Sequence, residues 1–222
     1  MQYLYHPEAS GSQLLLTGDR HRYLFKVRRH KAGERIDLRN LKDDGLYRYL
    51  IAYLDKKGAR LVLQSQQDLV VAAERTLHIG WCMIDPKRIE KILPTLNEIG
   101  VAQITFIQCE RSQKQFRPEF ERWQKILLNS SQQCGRSTKM QLQQAKSLAA
   151  FVQEHPNAWL LHFSDNTLAV ENKIGTIVAG CEGGLTEAEV ALFDPGKIAG
   201  LDTPLILRSE SAVVAAAGKL LL

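Results

Sequence analysis

The sequence lacks the features that would place it in several specialised classes of protein. Its 222 residues contain no apolar run of the roughly 18–20 residues that span a bilayer, and the first residues carry no apolar signal-peptide core. No two of its four cysteines have the close spacing of a zinc knuckle, so we expect no metal site. We therefore expect a cytoplasmic protein with reduced cysteines and no membrane partner.

The composition is that of an ordinary globular protein. Hydrophobic residues make up 45% of the chain and charged residues 24%. This apolar content is high enough to form a core, which excludes a disordered chain. The length allows one large domain or two modest ones.

The charge is concentrated in two regions. Residues 1–72 hold 13 basic and 8 acidic side chains, which accounts for the net charge of +5, whereas residues 73–222 hold 16 of each. A second basic cluster runs from Arg111 to Lys146. Such clusters favour a polyanionic partner such as a nucleic acid, although solvated surfaces explain them equally well. The first cluster comprises Arg20, Arg22, Lys26, Arg28, Arg29, Lys31 and Arg35.

Residues 1–72 predict a small β-domain. Short apolar runs alternate with glycines, and four or five strands at this spacing form a small barrel of the kind often used to bind nucleic acids. A change of composition near residues 70–75 predicts the boundary, which gives domains 1–72 and 73–222. The predicted strands are Gln13–Leu16, Arg35–Leu38, Tyr47–Tyr53 and Arg60–Gln64.

Residues 73–222 predict an α/β domain. Apolar strands alternate with helices, a pattern that indicates a parallel sheet covered on both faces. Asp85 and Pro86 begin a helix that Gly100 ends, although Pro94 is expected to kink it. The predicted strands are Leu77–Ile84, Ile104–Cys109, Ala158–Phe163, Ile174–Ala179 and Leu205–Leu207.

Two motifs near the C-terminus are candidates for ligand binding, although a generic glycine-rich turn and an ordinary helix start capped by Ser209 would look similar. Gly180-Cys181-Glu182-Gly183-Gly184 follows a buried strand and precedes a capping box, Thr186-x-x-Glu189, that opens a short helix. Its glycines allow the backbone to approach a ligand closely. The second motif, Ile206 to Ala212, is a strand predicted to lead directly into a helix.

Together these motifs resemble those of the RsmE-type 16S rRNA uridine methyltransferases, members of the SPOUT class. That family has Gly-Pro-Glu-Gly-Gly in the first motif and Ile-Leu-Arg-Thr-Glu-Thr-Ala in the second. The departures are Cys181, Thr203 and Leu205 in place of the family's proline, glycine and arginine, together with Tyr23 and Gln132. Further matches are Val27-Arg28-Arg29 with Gly33, Lys87, Glu98 with Gly100, Glu110-Arg111-Ser112, Arg122-Trp123, Gln133 and Arg136.

The resemblance implies the fold and the cofactor. It implies a PUA-like β-barrel, then a SPOUT domain with a C-terminal trefoil knot, which dimerises through its C-terminal helix. Loops of the knot would bind S-adenosylmethionine. The implied cofactor-binding residues are His162, Gly180, Glu182, Gly183, Gly184, Gly200, Leu201, Ile206, Leu207 and Ser209.

The implied reaction is methylation of N3 of a uridine in 16S rRNA of the small ribosomal subunit. Because N3 carries a proton near neutral pH, the site needs a base and a cation near the adjacent carbonyl oxygen. Arg111 and Arg136 are the candidate cations, and Glu182 and Glu210 the candidate bases. Glu210 is explained equally well by the dipole of its helix, and Glu182 by hydrogen bonds that shape its loop. The candidate RNA-binding residues are Arg22, Arg28, Arg29, Arg111, Arg136 and Arg208.

Two other functions fit the same residues. One is methylation of a different RNA or a different atom of the base, which the departures at Thr203 and Leu205 motivate. The other is a catalytically silent RNA-binding protein with the same fold.

Substitution of Arg136 tests its assignment as a catalytic cation. We expect Arg136→Ala to abolish methylation and to leave the fold intact, as judged by circular dichroism. Unchanged methylation would remove Arg136 from the mechanism.

Overall fold

The protein forms two compact units. The structure is a computed structural model that describes residues 2–222. The first unit comprises residues 2–72 with 131–138, and the second comprises residues 73–130 with 139–222.

The first unit is built on a five-stranded sheet in the order β1-β3-β4-β5-β2. All pairs are antiparallel except β1 with β3. Alternate residues along the strands are buried, as in β4 and β2, which is the pattern of a sheet with one face against a core. The strands are β1 (Leu4–Tyr5), β2 (Gln13–Leu16), β3 (Arg35–Arg39), β4 (Gly45–Leu54) and β5 (Ala59–Asp68). All four strands predicted here are present.

The first basic cluster lies partly on a helical segment that the sequence analysis did not predict. Helix α1 (Gly18–Arg22) continues into one π-helical turn, Tyr23–Val27. Leu24 anchors this turn because its side chain is fully buried in the core of the unit. The basic residues of this segment, Arg20, Arg22 and Lys26, are exposed to solvent.

Residues 131–138 contribute a polar cluster to the first unit. The hydroxyl of Tyr3 donates a hydrogen bond to the carbonyl oxygen of Arg136 at 2.8 Å. The amide of Tyr5 donates to the side-chain oxygen of Gln132 at 2.7 Å. Burial raises the pKa of Tyr3 and lowers that of Arg136, because it disfavours the charged form of each.

The second unit contains a six-stranded sheet in the order β11-β9-β10-β6-β7-β8. Every pair in it is parallel, as predicted. Its strands are β6 (His78–Cys82), β7 (Gln103–Ile107), β8 (Gln141–Ala145), β9 (Trp159–Leu161), β10 (Thr176–Ala179) and β11 (Ile198–Ala199). Its helices are α2 (Pro86–Ile99), α3 (Phe120–Cys134, whose last residues belong to the first unit), α4 (Leu148–Glu154), α5 (Glu187–Val190) and α6 (Ser209–Leu221).

Helix α2 has the boundaries that its sequence signals predict. The Asp85 side chain accepts a hydrogen bond from the amide of Lys87, and Pro86 occupies the first turn. Gly100 ends the helix with a φ of 109°, a conformation that favours glycine. Pro94 lies inside the assigned helix without dividing it.

Two strand assignments in this unit differ from the prediction. Residues 205–207 were expected to form a strand, but they form an irregular segment, and the edge of the sheet is β11. Leu205 and Ile206 are highly exposed, so their apolar character does not reflect burial in the sheet. Strand β8 was not predicted, because three of its five residues are glutamine.

The cysteines also differ from the expectation. Cys82 and Cys109 are joined by a disulfide, although 27 residues separate them in sequence. They meet because β6 and β7 are neighbouring parallel strands and both cysteines lie at the carboxyl ends. Cys134 and Cys181 are unpaired.

Within residues 2–222, no helix is both long and apolar enough to cross a membrane. The same residues contain no group of three or more side chains arranged to hold a metal ion.

His78 gives the stability of the fold a predictable pH dependence. Burial and the neighbouring His155 lower the pKa of His78 from 6.5 to about 4. Between these values the unfolded chain binds a proton that the folded chain does not, so stability is fully present above pH 6.5 and falls toward pH 4. We expect the melting temperature to drop between pH 7.5 and pH 5, and to drop less in His78→Gln. A control variant, His30→Gln, removes a histidine that pairs with Glu34 at 2.7 Å and should not reduce the drop. An equal drop in wild type and His78→Gln would contradict this account.

Candidate active site

One large cavity opens at the carboxyl edge of the parallel sheet. Its volume is about 990 Å³, and three loops form most of its walls. The first loop follows β9, the second follows β10, and the third follows β11 and leads into α6. A crevice at this edge is where parallel α/β sheets usually bind ligands, because the loops that leave the strands converge there.

All ten residues predicted to bind the cofactor line this cavity. His162 comes from the first loop, Gly180 to Gly184 from the second, and Gly200 to Ser209 from the third. The prediction missed most of the first loop, which has no glycine motif. The lining residues that it missed include Phe163, Ser164, Asp165, Cys181, Leu185 and Thr203.

The glycine loop, residues 180–184, lines the cavity and has no side chain at three of its five positions. Gly184 has a φ of 68°, which side chains rarely tolerate. A Cβ at Gly183 would lie 3.1 Å from the Cβ of Arg111, so a larger residue there would push on that side chain. Cys181 is buried, and its thiol lies 3.5 Å from the carbonyl oxygen of Gly184, within its own loop.

Gly200 is required by the close approach of two loops. A Cβ on it would lie 3.0 Å from the carbonyl oxygen of Ser164 and 3.2 Å from that of His162. Its amide donates to the carbonyl oxygen of Asn166 at 2.8 Å, and its own carbonyl accepts from Leu168 at 2.7 Å. The first and third loops are thus held together by backbone contacts.

Ser209 joins the glycine loop to the sheet and to α6. The indole Nε1 of Trp81 donates to the Ser209 hydroxyl at 2.9 Å, and that hydroxyl donates to the carbonyl oxygen of Gly180 at 2.5 Å. Trp81 is fully buried, so its indole N–H needs this partner. The Ser209 hydroxyl is therefore occupied by two hydrogen bonds within the protein, although the residue lines the cavity.

Arg111 and Arg208 place positive charge at the cavity. A guanidinium nitrogen of Arg111 donates to the carbonyl oxygen of Gly183 at 3.0 Å, which fixes the arginine against the glycine loop. Arg208 is exposed and precedes the first turn of α6. Both residues were predicted to contact RNA, and both line the cavity.

The two candidate bases are linked by a residue that the sequence analysis did not select. Arg88, on the first turn of α2, lies 3.4 Å from a carboxylate oxygen of Glu182 and 3.8 Å from one of Glu210. The side chain of Glu182 is 39% exposed and lines the cavity, whereas that of Glu210 is 13% exposed and does not line it. Among the described residues, the second carboxylate oxygen of Glu210 has no hydrogen-bond partner. In the sequence, the only indication of this region was the family match at the neighbouring residue, Lys87.

The remaining predicted residues lie in the first unit. Arg22, Arg28 and Arg29 are exposed, and Arg28 packs over the ring of Tyr23 at 5.4 Å while donating to its hydroxyl at 3.0 Å. Arg136 is only 7% exposed and does not line the cavity. The expectation that Arg136→Ala leaves the fold intact changes for this reason, because truncating a buried arginine in a polar cluster destabilises a protein.

Comparison with protein families identifies the chain. The RNA methyltransferase domain model matches residues 72–221, and the RNA methyltransferase PUA domain model matches residues 16–64. The chain belongs to the RNA methyltransferase family. The first match covers the unit that holds the cavity, and the second covers most of the β-domain. This RNA methyltransferase therefore has the PUA-like and SPOUT domains that the family resemblance implied.

Two relatives of the chain have names that agree with this family assignment. The ribosomal RNA small subunit methyltransferase E of Helicobacter pylori strain J99 is 37% identical over 219 residues, 96% of each chain. That of strain 26695 is also 37% identical over 96% of each chain.

Solved structures of methyltransferases share the fold of this RNA methyltransferase. One is the ribosomal RNA small subunit methyltransferase E of Neisseria gonorrhoeae bound to S-adenosyl methionine, with a TM-score of 0.80 and 21% identity, covering 98% of this chain and 95% of that one. Another is a methyltransferase of Legionella pneumophila in complex with SAM, with a TM-score of 0.81 and 24% identity, covering 97% and 95%.

Removal of the Ser209 hydroxyl tests its part in the fold. Ser209→Ala leaves the Trp81 indole N–H and the Gly180 carbonyl without this partner, and we expect a loss of about 1–3 kcal/mol in the free energy of unfolding. Ser211→Ala, an exposed serine of the same helix, should change it by less than about 0.5 kcal/mol. Urea unfolding measures both. Equal stability of the two variants would show that the bridge contributes nothing.

Proposed function

We propose that this protein transfers the methyl group of S-adenosylmethionine to N3 of a uridine in 16S rRNA of the small ribosomal subunit. The observation that carries the proposal is the single cavity in which all ten predicted cofactor residues meet. The names of the H. pylori relatives support the rRNA substrate.

The cavity has the chemistry that S-adenosylmethionine requires. The backbone of the glycine loop lines the cavity, where its polar groups can hydrogen-bond the adenine and ribose. Leu201, Ile206 and Leu207 supply an apolar wall, and Ile206 is 83% exposed, so its side chain is accessible to a ligand. Glu182 offers a negative charge to the positively charged groups of the cofactor.

The chain supplies acid–base and electrostatic groups for the reaction. When bound, the cofactor provides the methyl group, whose bond to sulfur breaks as its bond to uridine N3 forms. Glu182 is the better candidate to accept the N3 proton, because it lines the cavity and Glu210 does not. Arg111 donates to Gly183 and lines the cavity, which supports a role in stabilising negative charge on the uracil carbonyl oxygen. Arg136, which is buried, would act only by reaching the site of a second subunit.

The first unit is proposed to bind the RNA backbone. Arg22 is exposed on the short helical segment, and Arg28 and Arg29 are exposed directly after it, where Tyr23 holds the side chain of Arg28 in place. A preorganised guanidinium loses less conformational entropy when it contacts a phosphate. Phosphate contacts of this kind supply affinity and orientation rather than sequence selectivity.

The oligomeric state and the path of the C-terminal segment are part of the same proposal. We propose a cytoplasmic homodimer formed through α6, in which the loops around Gly200 form a trefoil knot. Apolar or small residues cover most of α6, and open space surrounds Gly218. Leu222, just beyond the helix, is 91% exposed.

Methyl transfer to defined rRNA tests the function. Small subunits from a strain that lacks this protein would be incubated with the protein and isotope-labelled S-adenosylmethionine, and the 16S rRNA digested to nucleosides for mass spectrometry. We expect labelled N3-methyluridine. Label in another nucleoside would redirect the proposal to a different base. Absence of label alongside measurable RNA binding would favour the catalytically silent protein.

A substitution at Gly200 tests the cofactor site. Gly200→Ala forces the first and third loops apart, an overpacking that costs about 1–3 kcal/mol, and we expect the dissociation constant for S-adenosylmethionine to rise by about tenfold in calorimetry. The control is Gly175→Ala, because a Cβ on Gly175 meets no atom within 4 Å. The assignment fails if Gly200→Ala binds the cofactor as tightly as Gly175→Ala.

Salt dependence tests the RNA surface. In the double variant Arg28→Ala/Arg29→Ala, we expect weaker RNA binding and a slope of log affinity against log salt that is shallower by about 1–2, because two phosphate contacts are lost. Lys56→Ala/Lys57→Ala removes the same charge from a turn of the same unit and should leave the slope closer to that of the wild type. A wild-type slope in the arginine variant would show that these arginines do not contact phosphate.

A further inference from the structure

Glu189 has a second set of contacts beyond the capping box that its sequence predicts. Its Oε2 accepts a hydrogen bond from the amide of Thr186 at 2.9 Å, and the Thr186 hydroxyl in turn accepts from the amide of Glu189 at 3.3 Å. These contacts form the capping box of α5. The Oε1 atom accepts from the amide of Glu110 at 2.9 Å, 79 residues away in the sequence. One carboxylate therefore contacts two loops.

The two loops are those that hold Arg111 against the cavity. Glu110 immediately precedes Arg111, and Thr186 directly follows the glycine loop and Leu185. Arg111 itself donates to Gly183 at 3.0 Å. The Glu189 side chain thus links the loop that carries Arg111 to Thr186, just after the glycine loop. The Arg111 side chain links the same loop to Gly183, within the glycine loop.

The environment of Glu189 strengthens these contacts. The residue is only 7% exposed, and hydrogen bonds from backbone N–H groups to a carboxylate are stronger than neutral ones. Both oxygens face N–H donors, which a neutral amide side chain cannot reproduce. Such a polar group is costly to bury unless it is fully paired, and here each oxygen has its donor.

We propose that Glu189 is a positioning residue for the methyl transfer reaction, which sets Arg111 at the substrate side of the cavity by holding the amide of Glu110. Glu189 does not line the cavity, so it would act through Arg111 rather than by contact with substrate or cofactor. The inference rests on the proposed function, because it assigns Glu189 a role through Arg111. This positioning role is separate from the capping box, which stabilises only the start of α5.

Glu189→Gln separates the two roles of the side chain. Glutamine is accepted in a capping box, so its oxygen can keep the contact to Thr186. Its NH₂ group then faces the amide of Glu110, where two donors meet and the hydrogen bond is lost. Glu187→Gln is the matched control, because it removes the same charge from an exposed position of the same helix. Thr186→Val is a second control, because it removes the hydroxyl of the capping box and leaves the Glu110 contact.

The first readout is amide hydrogen exchange, which does not require activity. In Glu189→Gln we expect exchange at Glu110 to be faster than in wild type by about tenfold or more, the change expected for loss of one charge-assisted hydrogen bond. Glu187→Gln and Thr186→Val should leave exchange at Glu110 unchanged. Glu189→Ala keeps neither side-chain oxygen, so unaltered protection of Glu110 in both Glu189→Gln and Glu189→Ala would overturn the proposed contact.

The second readout is steady-state kinetics with rRNA. We expect Glu189→Gln to lower kcat by about tenfold, while Thr186→Val retains the wild-type kcat even if it lowers the melting temperature. A kcat for Glu189→Gln equal to that of Glu187→Gln would overturn the positioning role. If the wild-type protein transfers no methyl group, the proposed function fails, and the exchange measurement still decides whether Glu189 holds the Arg111 loop.

Discussion

The hydroxyl of Ser209 connects the parts of the methyltransferase unit on which the cavity depends. It accepts from Trp81 at the end of β6 and donates to Gly180 directly after β10. Ser209 is also the first residue of α6, so the hydroxyl places the start of that helix at the carboxyl edge of the sheet. The segment between β11 and α6 must therefore pass over this edge, where it forms the third wall of the cavity. The buried indole cannot lose this partner without cost.

Hydrogen bonds between loops extend this arrangement. Gly200 packs against the backbone of the loop after β9, and Arg111 donates to the glycine loop. Glu189 joins the Arg111 loop to the end of the glycine loop. Each contact links residues that are distant in sequence, so the cavity depends on the sheet that brings them together. Arg88 adds an ionic link between Glu182 and Glu210 at the same edge.

The sequence predicted those parts of the structure that depend on local patterns. The cap at Asp85, the stop at Gly100 and the alternation of strands with helices are encoded within short windows and are confirmed. Strand β8 was missed because its glutamines carry no apolar signal. Residues 205–207 were assigned to a strand because apolar residues in a cavity wall have the same composition as residues in a buried strand.

The candidate site was predicted through its motifs and its resemblance to a family, and the cavity contains every residue proposed for the cofactor. What the sequence could not supply were tertiary relations. The burial of Arg136, the bridge made by Arg88 and the second contact of Glu189 involve partners that lie far along the chain or depend on packing. The pairing of Cys82 with Cys109 is of the same kind, since it follows from the adjacency of β6 and β7.

The central claim is that three loops at the carboxyl edge of the sheet form one site for S-adenosylmethionine. A crystal structure of the protein grown with this cofactor tests that claim most directly. The account predicts density for the cofactor between the glycine loop, the loop after β9 and residues 200–208, with Arg111 still donating to Gly183. Density at another position, or occupation of the cavity by a side chain of the protein while the cofactor binds elsewhere, would contradict it.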